Sequence, residues 1–331
     1  RSTTVFAGKI KDGTGGISVV KNGSSTQTFI AAQTYTGSTT VNAGTLQVGG
    51  SVSTLGVNGS LASSNLILNG GTLALDNLGA SNNSSNRLAD TASVTFQGGT
   101  LVYRGSDLAN STETVGSLVL KSKISTFTNT YGGSQTASLT SSNFTRAANG
   151  GILLVNGLDL GKDGSSSASV ARVFLTAAPA LVGSTAALST GINAAAQNTQ
   201  IVPFLLGEST ATTGGLGTVT GVPNTFLTYN ASTGLRPLNL ADEFTSNAFT
   251  EGNNTYITAT ATLGSTTAIN SLIMNGATVT VGSGKTLTVT SEPSSFQEAP
   301  ISRWAMAARL ILDHGKASSP SIPRAIPSSP R

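Results

Sequence analysis

Side chains able to do covalent or metal chemistry are almost missing from most of this chain. There is one histidine, His314, and no cysteine. Residues 1–291 therefore contain no Ser-His-Asp triad, thiol nucleophile, or histidine or cysteine metal site. Carboxylates remain. Asp242-Glu243 is the only adjacent acidic pair before residue 292. Paired carboxylates with calcium or a basic residue could cleave polysaccharide, but strand neighbours point to opposite faces. A solvated loop pair is the expected reading. Asp159-Leu160-Gly161-Lys162-Asp163-Gly164 has the look of a calcium loop, yet its twelfth position is Val170, where a bidentate glutamate is required. Gly13-Thr14-Gly15-Gly16 lacks the Lys-Ser/Thr of a phosphate loop and reads as turn glycines. Tyr35, Tyr103, Tyr131, Tyr229 and Tyr256 could stack on sugar rings, but scattered tyrosines in a β protein are expected in the core or at its edges. The expectation is no catalytic residue, no metal, no cofactor and no enzyme.

The elements around these residues are short and regular. Val19, Val20, Phe29, Ile30, Val41, Leu46 and Val48 alternate with turns at Gly13, Gly15-Gly16, Asn22-Gly23, Gly37, Asn42 and Gly44. Val41-Asn42-Ala43-Gly44-Thr45-Leu46 is echoed by Leu68-Asn69-Gly70-Gly71-Thr72-Leu73 and by Phe96-Gln97-Gly98-Gly99-Thr100-Leu101. The steps are 27 residues (Gly44 to Gly71) and 28 (Gly71 to Gly99), a period that belongs to solenoids. Gly37, Asn42, Gly44, Leu46, Asn69, Gly71, Leu73, Gly99 and Leu101 are accordingly read as structural repeat-turn residues. Alternation in Thr45–Val48 and Thr72–Leu75 sends Leu and Val to one face. One such strand cannot bury that face alone, whereas stacked circuits can.

This pattern resembles the autotransporter-associated β-strand repeat. The residues that carry the likeness are Phe6, Gly8, Ile10, Gly15-Gly16-Ile17, Lys21, Gly23, Tyr35-Thr36-Gly37, Thr39, Val41 and Gly44-Thr45-Leu46, so the match is specific over 6–50. Ala31-Ala32-Gln33 and Ala43 depart from the usual pattern. Residues 51–291 resemble the looser sequence around such repeats in large bacterial surface proteins, and Phe226–Leu238 (FLTYNASTGLRPL) has a similar but less specific look. The resemblance implies a passenger or stalk segment of an exported bacterial surface protein, extracellular or outer-membrane associated, in which progressive folding outside the membrane disfavours back-sliding. Any translocation barrel would lie outside this chain.

The fold class expected is all-β, a right-handed single-stranded parallel β-helix (β-solenoid), with a β-sandwich as runner-up. Residues 1–158 read as solenoid repeats, 159–262 as coils with longer insertions, and 263–291 as terminal strand repeats in which Lys285–Thr290 is either half a hairpin or one coil. Ten to twelve coils would give a rod of roughly 50–60 Å at about 4.8 Å each. Residues 292–331 hold six of the ten prolines, the only Trp (Trp304) and the only His, and read as an irregular, disordered or out-of-frame tail.

Composition sets the outer bounds. Charged residues make up 10% and glycines number 39, against 38% hydrophobic residues, so the chain is neither a charged disordered tail nor a helical protein. The net charge is +4 without a basic stripe of interleaved aromatics, which argues against nucleic acid as a partner. No apolar run of 18 residues exists to span a membrane, and no signal peptide stands at the start, which reads as a fragment or processed product. A glycan or cell-surface partner for an adhesin-type region at 159–262 is the alternative function, and a β-helix polysaccharide enzyme the lesser one.

Overall fold

The computed structural model describes residues 3–50, 58–78, 83–148, 150–162, 169–183, 196–208, 212–213, 219–220 and 224–291. The tail at 292–331 lies outside them. Among the described residues all regular structure is β, and most of it is parallel.

Two sheets face each other across one core. The first has ten strands: β1 (Thr3–Phe6), β3 (Thr26–Phe29), β6 (Thr45–Gly49), β9 (Thr72–Asp76), β11 (Thr100–Arg104), β13 (Ile124–Thr130), β15 (Ile152–Gly157), β17 (Val202–Gly207), β20 (Thr225–Asn230) and β21 (Gly234–Pro237), hydrogen-bonded in that order. The second has seven: β2 (Val19–Lys21), β5 (Thr39–Val41), β8 (Asn65–Leu68), β10 (Ser93–Gln97), β12 (Ser111–Ser122), β14 (Ala137–Arg146) and β16 (Ala171–Leu175). The chain thus visits each sheet in turn and adds one parallel strand per visit. A short third side is made by β4 (Ala32–Gln33) on β7 (Ser60–Leu61), extended by a parallel bridge from Leu61 to Leu88.

The register explains the sequence echoes. Thr3, Thr26, Thr45, Thr72, Thr100 and Thr126 are successive Cα partners. The step is 27 residues from Thr45 to Thr72, 28 from Thr72 to Thr100 and 26 from Thr100 to Thr126, so the period read from the turns is the length of a circuit. The next position inward runs Leu46, Leu73, Leu101, Phe127, Val155, and two residues on stand Val48, Leu75 and Tyr103. All eight are buried. Facing them, Leu66, Val94 and Leu118 align across the second sheet, as do Leu68, Phe96 and Leu120. Period-two alternation puts β-branched Thr and Val where strands need them and stacks Leu on Leu in between, which is why these short segments are strands at all.

The circuits lengthen as the rhythm fades. From β15 the first sheet waits until β17 for its next strand, with Leu153 opposite Leu205. Pro203 sits where the β17–β20 register slips, between Val202 and Leu206, so its missing N–H removes no ladder bond there. β20 then runs antiparallel to β17, and β21 antiparallel to β20. This hairpin is the FLTYNASTGLRPL segment. Leu227, Tyr229 and Leu235 enter the main core, and the Tyr229 hydroxyl donates to Leu175 O at 2.7 Å while accepting Leu175 N–H at 3.1 Å. The hairpin therefore plugs the end of the parallel stack. A further antiparallel pair, β18 (Thr212–Thr213) and β19 (Val219–Thr220), lies in the connection.

A second, smaller parallel stack follows. β22 (Thr245–Ser246) pairs with β23 (Asn254–Ile257), which pairs with β26 (Ser271–Met274); β24 (Ala261–Leu263) pairs with β27 (Val279–Val281); β25 (Thr267–Ile269) pairs with β28 (Leu287–Val289). β27 and β28 do not pair with each other, so Lys285–Thr290 belongs to a circuit and not to a hairpin. Ile257, Leu263, Val279 and Val281 form its own small core.

Candidate functional site

The feature that recurs is the rung joining one circuit to the next. Thr72 N–H donates to Gly44 O at 2.9 Å, Thr100 N–H to Gly71 O at 2.9 Å, and Thr126 N–H to Gly99 O at 3.1 Å. Gly71 N–H and Asn69 N–H both reach Val41 O, at 3.1 and 3.0 Å, and Gly99 N–H reaches Leu68 O at 3.1 Å. The turn backbones touch so closely that a Cβ on Gly99 would stand 2.6 Å from Gly71 O, and one on Gly71 2.6 Å from the Val41 side chain. Gly37 is equally tight, 2.3 Å from Ile17 O. Glycine is needed here for approach.

The turns are equivalent in register but not in conformation. Gly70 and Gly98 carry the positive φ, at 100° and 96°, whereas in the first turn Gly44 carries it, at 63°. Ala43 stands where Gly70 stands, and an alanine resists the left-handed region. The departure at Ala43 thus moves the left-handed residue one place along.

Asparagine adds a second line of rungs. Asn42 Nδ2 donates to Asn22 Oδ1 at 2.7 Å, and Asn69 Nδ2 to Asn42 Oδ1 at 3.0 Å. Side chains clip the first circuit to the second. Asp12 accepts from Ile17 N, Thr36 N and Thr36 Oγ1, and the Thr36 hydroxyl foremost holds its carboxyl below the usual range. Gln33 Oε1 accepts from Ile10 N at 2.8 Å and Gln33 Nε2 donates to Gly8 O at 3.0 Å.

One charged cluster escaped the reading of the sequence and a second was read as solvated. In the first, Arg87 is fully buried. Its Nε donates to Asn77 Oδ1 at 2.8 Å and its terminal nitrogen to Gly59 O at 2.7 Å. A Cβ on Gly49 would lie 2.2 Å from the guanidinium carbon. Glu113, also buried, accepts the backbone N–H groups of Arg87 and Leu88 at 3.0 and 2.9 Å. Asp76 and Arg104 pair beside them at 3.0 Å. Burial pushes the Glu113 carboxyl up to about 7, opposed by those two N–H donors and by the Arg87 charge. The available signal was spacing. Arg87 and Glu113 are 26 residues apart, Asp76 and Arg104 are 28, so each pair is one circuit apart in a chain with few charges.

The second cluster corrects the expectation for Asp242-Glu243. Glu243 is not solvated: it is 1% exposed and forms a two-pronged pair with Arg236, both contacts at 2.8 Å. Asp242 is exposed and accepts from Asn239 Nδ2 at 2.7 Å. The two carboxylates diverge, one tying the hairpin to the second stack and one facing water. Beside Glu243, Asn254 Nδ2 donates to Thr199 O at 3.0 Å, and Asn270 Nδ2 and Ser271 Oγ both donate to Asn254 Oδ1 at 2.7 Å. Asp159 is taken by the Tyr131 hydroxyl at 3.0 Å and by Lys162; residues 163–168 lie outside the described residues. Tyr35, Tyr103, Tyr131 and Tyr229 are buried, as core tyrosines should be. Among the described residues no three or more His, Cys, Asp or Glu side chains gather as metal ligands, and no helix is long and apolar enough to cross a membrane.

The comparison with known families falls on these rungs. Residues 19–48 match the family described as the Passenger-associated-transport-repeat, which bears out the resemblance to the autotransporter passenger repeat. The matched stretch runs from the first strand of the second sheet into β6, and holds the Asn22–Asn42 rung and the Gly44 turn. A repeat of this family marks an exported or surface protein. No curated protein and no solved structure matches the chain.

Proposed function

We propose that this chain is the stalk of a large exported bacterial surface protein, a right-handed single-stranded parallel β-helix that carries loops outside the outer membrane and does no catalysis. The observation that carries the reading is the rung from each glycine carbonyl to the threonine N–H one circuit on, repeated at Gly44, Gly71 and Gly99. Each circuit in this arrangement pairs with its neighbours alone, so the stack can grow one circuit at a time as the chain emerges. Every added circuit buries a Leu or Phe and closes a ladder, and the chain cannot slide back without breaking both. The freedom from cysteine suits passage in extended form. The divergence of Asp242 and Glu243 supports a structural reading over polysaccharide cleavage.

The test is display. Residues 1–291 are placed between a signal peptide and an outer-membrane translocator barrel, and surface exposure is read by protease added to whole cells. The parent sequence should be exposed. Leu101→Asp puts a carboxylate among Leu73 and Phe127, stops the stack, and should lower exposure several-fold with chain retained behind the barrel. Equal display of the two would refute folding-assisted export.

A further inference from the structure

One corner in the middle of the first stack combines exposed apolar side chains with unbalanced positive charge. Beyond residue 20, the exposed large hydrophobic residues among those described are Leu108, beside Asp107, and Ile124, which is 46% exposed. Ile124 opens β13, where the chain passes from the second sheet to the first. Its Cα partner is Ile152, and Leu153 opposite Leu205 sets Phe204 next in the row. Ile152 and Phe204 are half-buried, so three apolar side chains run down this corner in steps of about 4.8 Å. Phe204 in turn stacks on Phe144, with ring centroids 5.4 Å apart.

Cations flank this row. From Thr114 to Leu158 the charged residues are Lys121, Lys123 and Arg146, with no carboxylate. Glu113 before them is buried, and Asp159 after them is held by Tyr131 and Lys162. Lys121 and Lys123 are exposed. The Arg146 guanidinium lies 5.5 Å from the Phe204 ring centre and donates to the turn carbonyls of Gly150 and Gly151, which keeps its charge at the corner.

Both lysines sit where the backbone departs from the regular ladder. Phe96 pairs with Leu120 and Gln97 with Ser122, so Lys121 is the extra residue of a bulge, a device that re-aims a side chain. Lys123 has a φ of 60°, in the left-handed region. At the same turn in the two preceding circuits Gly98 and Gly70 carry the positive φ. A Cβ on Gly98 would stand 2.8 Å from Lys123 Cδ, so the lysine stem lies across the glycine. Lysine in that conformation costs free energy that glycine does not, and what it adds is an ammonium beside Ile124.

The shape of the corner narrows the partner. β12 lies between β10 and β14, and β13 between β11 and β15, so neither offers a free edge to an added strand. A convex apolar ridge flanked by cations instead fits a flat, deformable, negatively charged surface, where apolar side chains enter the headgroup boundary and the cations meet phosphates. We propose that the corner at Lys121–Ile124, with Ile152, Phe204 and Arg146, docks on an anionic lipid bilayer. The inference stands on the charge and shape of this corner and does not depend on the export route.

The probe is vesicles of phosphatidylcholine, with or without phosphatidylglycerol, sedimented with the full chain. Binding should require phosphatidylglycerol and weaken as salt is raised. Lys121→Gln combined with Lys123→Gly should weaken it about fivefold for each cation removed. Lys123→Gly also relieves the left-handed backbone, so loss of the fold does not mimic this result. The chain has no cysteine, so Ile124→Cys carries a single environment-sensitive label. Its emission should shift to the blue on anionic vesicles, whereas a label at Thr95→Cys, on the outer face of the second sheet, should not shift. No binding, equal binding to both kinds of vesicle, an undiminished double variant, or a label at residue 124 that stays in water while the chain sediments would each overturn the proposal. So would a blue shift of that label on polyglutamate without lipid, because the occupant would then be an acidic segment of a protein.

Discussion

Arg87→Ala should destabilise the first stack by about 3–5 kcal/mol at neutral pH, the range for removing one partner of a buried charge group. Arg87 touches three circuits at once. It donates to Gly59 O on one side and to Asn77 on its own, and its backbone N–H meets Glu113 from the next. Truncation leaves the Gly59 carbonyl and the Asn77 oxygen short of a donor and removes the cation that supports Asp76 and Glu113. It also opens a void against Gly49. The loss depends on pH, with a sign that follows from Glu113. Its carboxyl is raised to about 7 from 4.5, so the folded state holds the proton more tightly than the unfolded chain. This group favours the fold most below pH 4.5, and that favour is lost as pH climbs through about 7. Without Arg87 the ionised form is costlier still, because the other charge acting on it, Asp90, is itself negative. The deficit of the variant should therefore be largest above pH 7 and shrink toward pH 5. Urea unfolding at pH 5 and pH 8 reads both; a deficit that is equal at the two values would mean that packing, not charge, carries the effect.

Leu101→Ala should cost about 2–5 kcal/mol, and the damage should stay local. Leu101 is buried between Leu73 on β9 and Phe127 on β13. A repeat stack holds each circuit through its neighbours, so a cavity at one layer weakens two interfaces and leaves remote ones alone. Amide exchange should accelerate across β9, β11 and β13. The second stack, β23–β28, has a separate core and should be unaffected. Val102→Ala, on the opposite face of the same strand, should cost less than about 1 kcal/mol. Uniform acceleration through both stacks would show a single cooperative unit.

How far the sequence was legible follows from what repeats. The turn Asn-Gly-Gly-Thr-Leu gave the circuit length, because close approach of successive backbones demands glycine at one register position and the core demands leucine two places later. Those demands recur at every circuit, so they leave a period. The hairpin at Phe226–Leu238 leaves none: it occurs once, and its role as a plug depends on Tyr229 meeting Leu175 from 54 residues away. The fading rhythm after residue 158 reflects circuits that lengthen before they return, as from Leu153 to Leu205. Glu243 misled for a related reason. Its neighbour Asp242 does face water, and only the fold brings Arg236 onto the other carboxylate. Arg87 and Glu113 were readable in principle, since opposite charges one circuit apart become neighbours, but that inference needs the period to be applied to charges as well as to glycines.

The most direct test of the account is the distance between residues one circuit apart. The chain has no cysteine, so pairs of cysteines placed in the threonine row accept nitroxide labels at those sites alone. Thr72→Cys with Thr100→Cys should give strongly coupled labels on backbones about 4.8 Å apart, Thr45→Cys with Thr100→Cys a separation near 10 Å, and Thr45→Cys with Thr126→Cys one near 15 Å, in equal increments of about 4.8 Å. Distances beyond about 20 Å for the Thr72–Thr100 pair, or no regular increment along the row, would contradict the stack on which the proposed export mechanism depends.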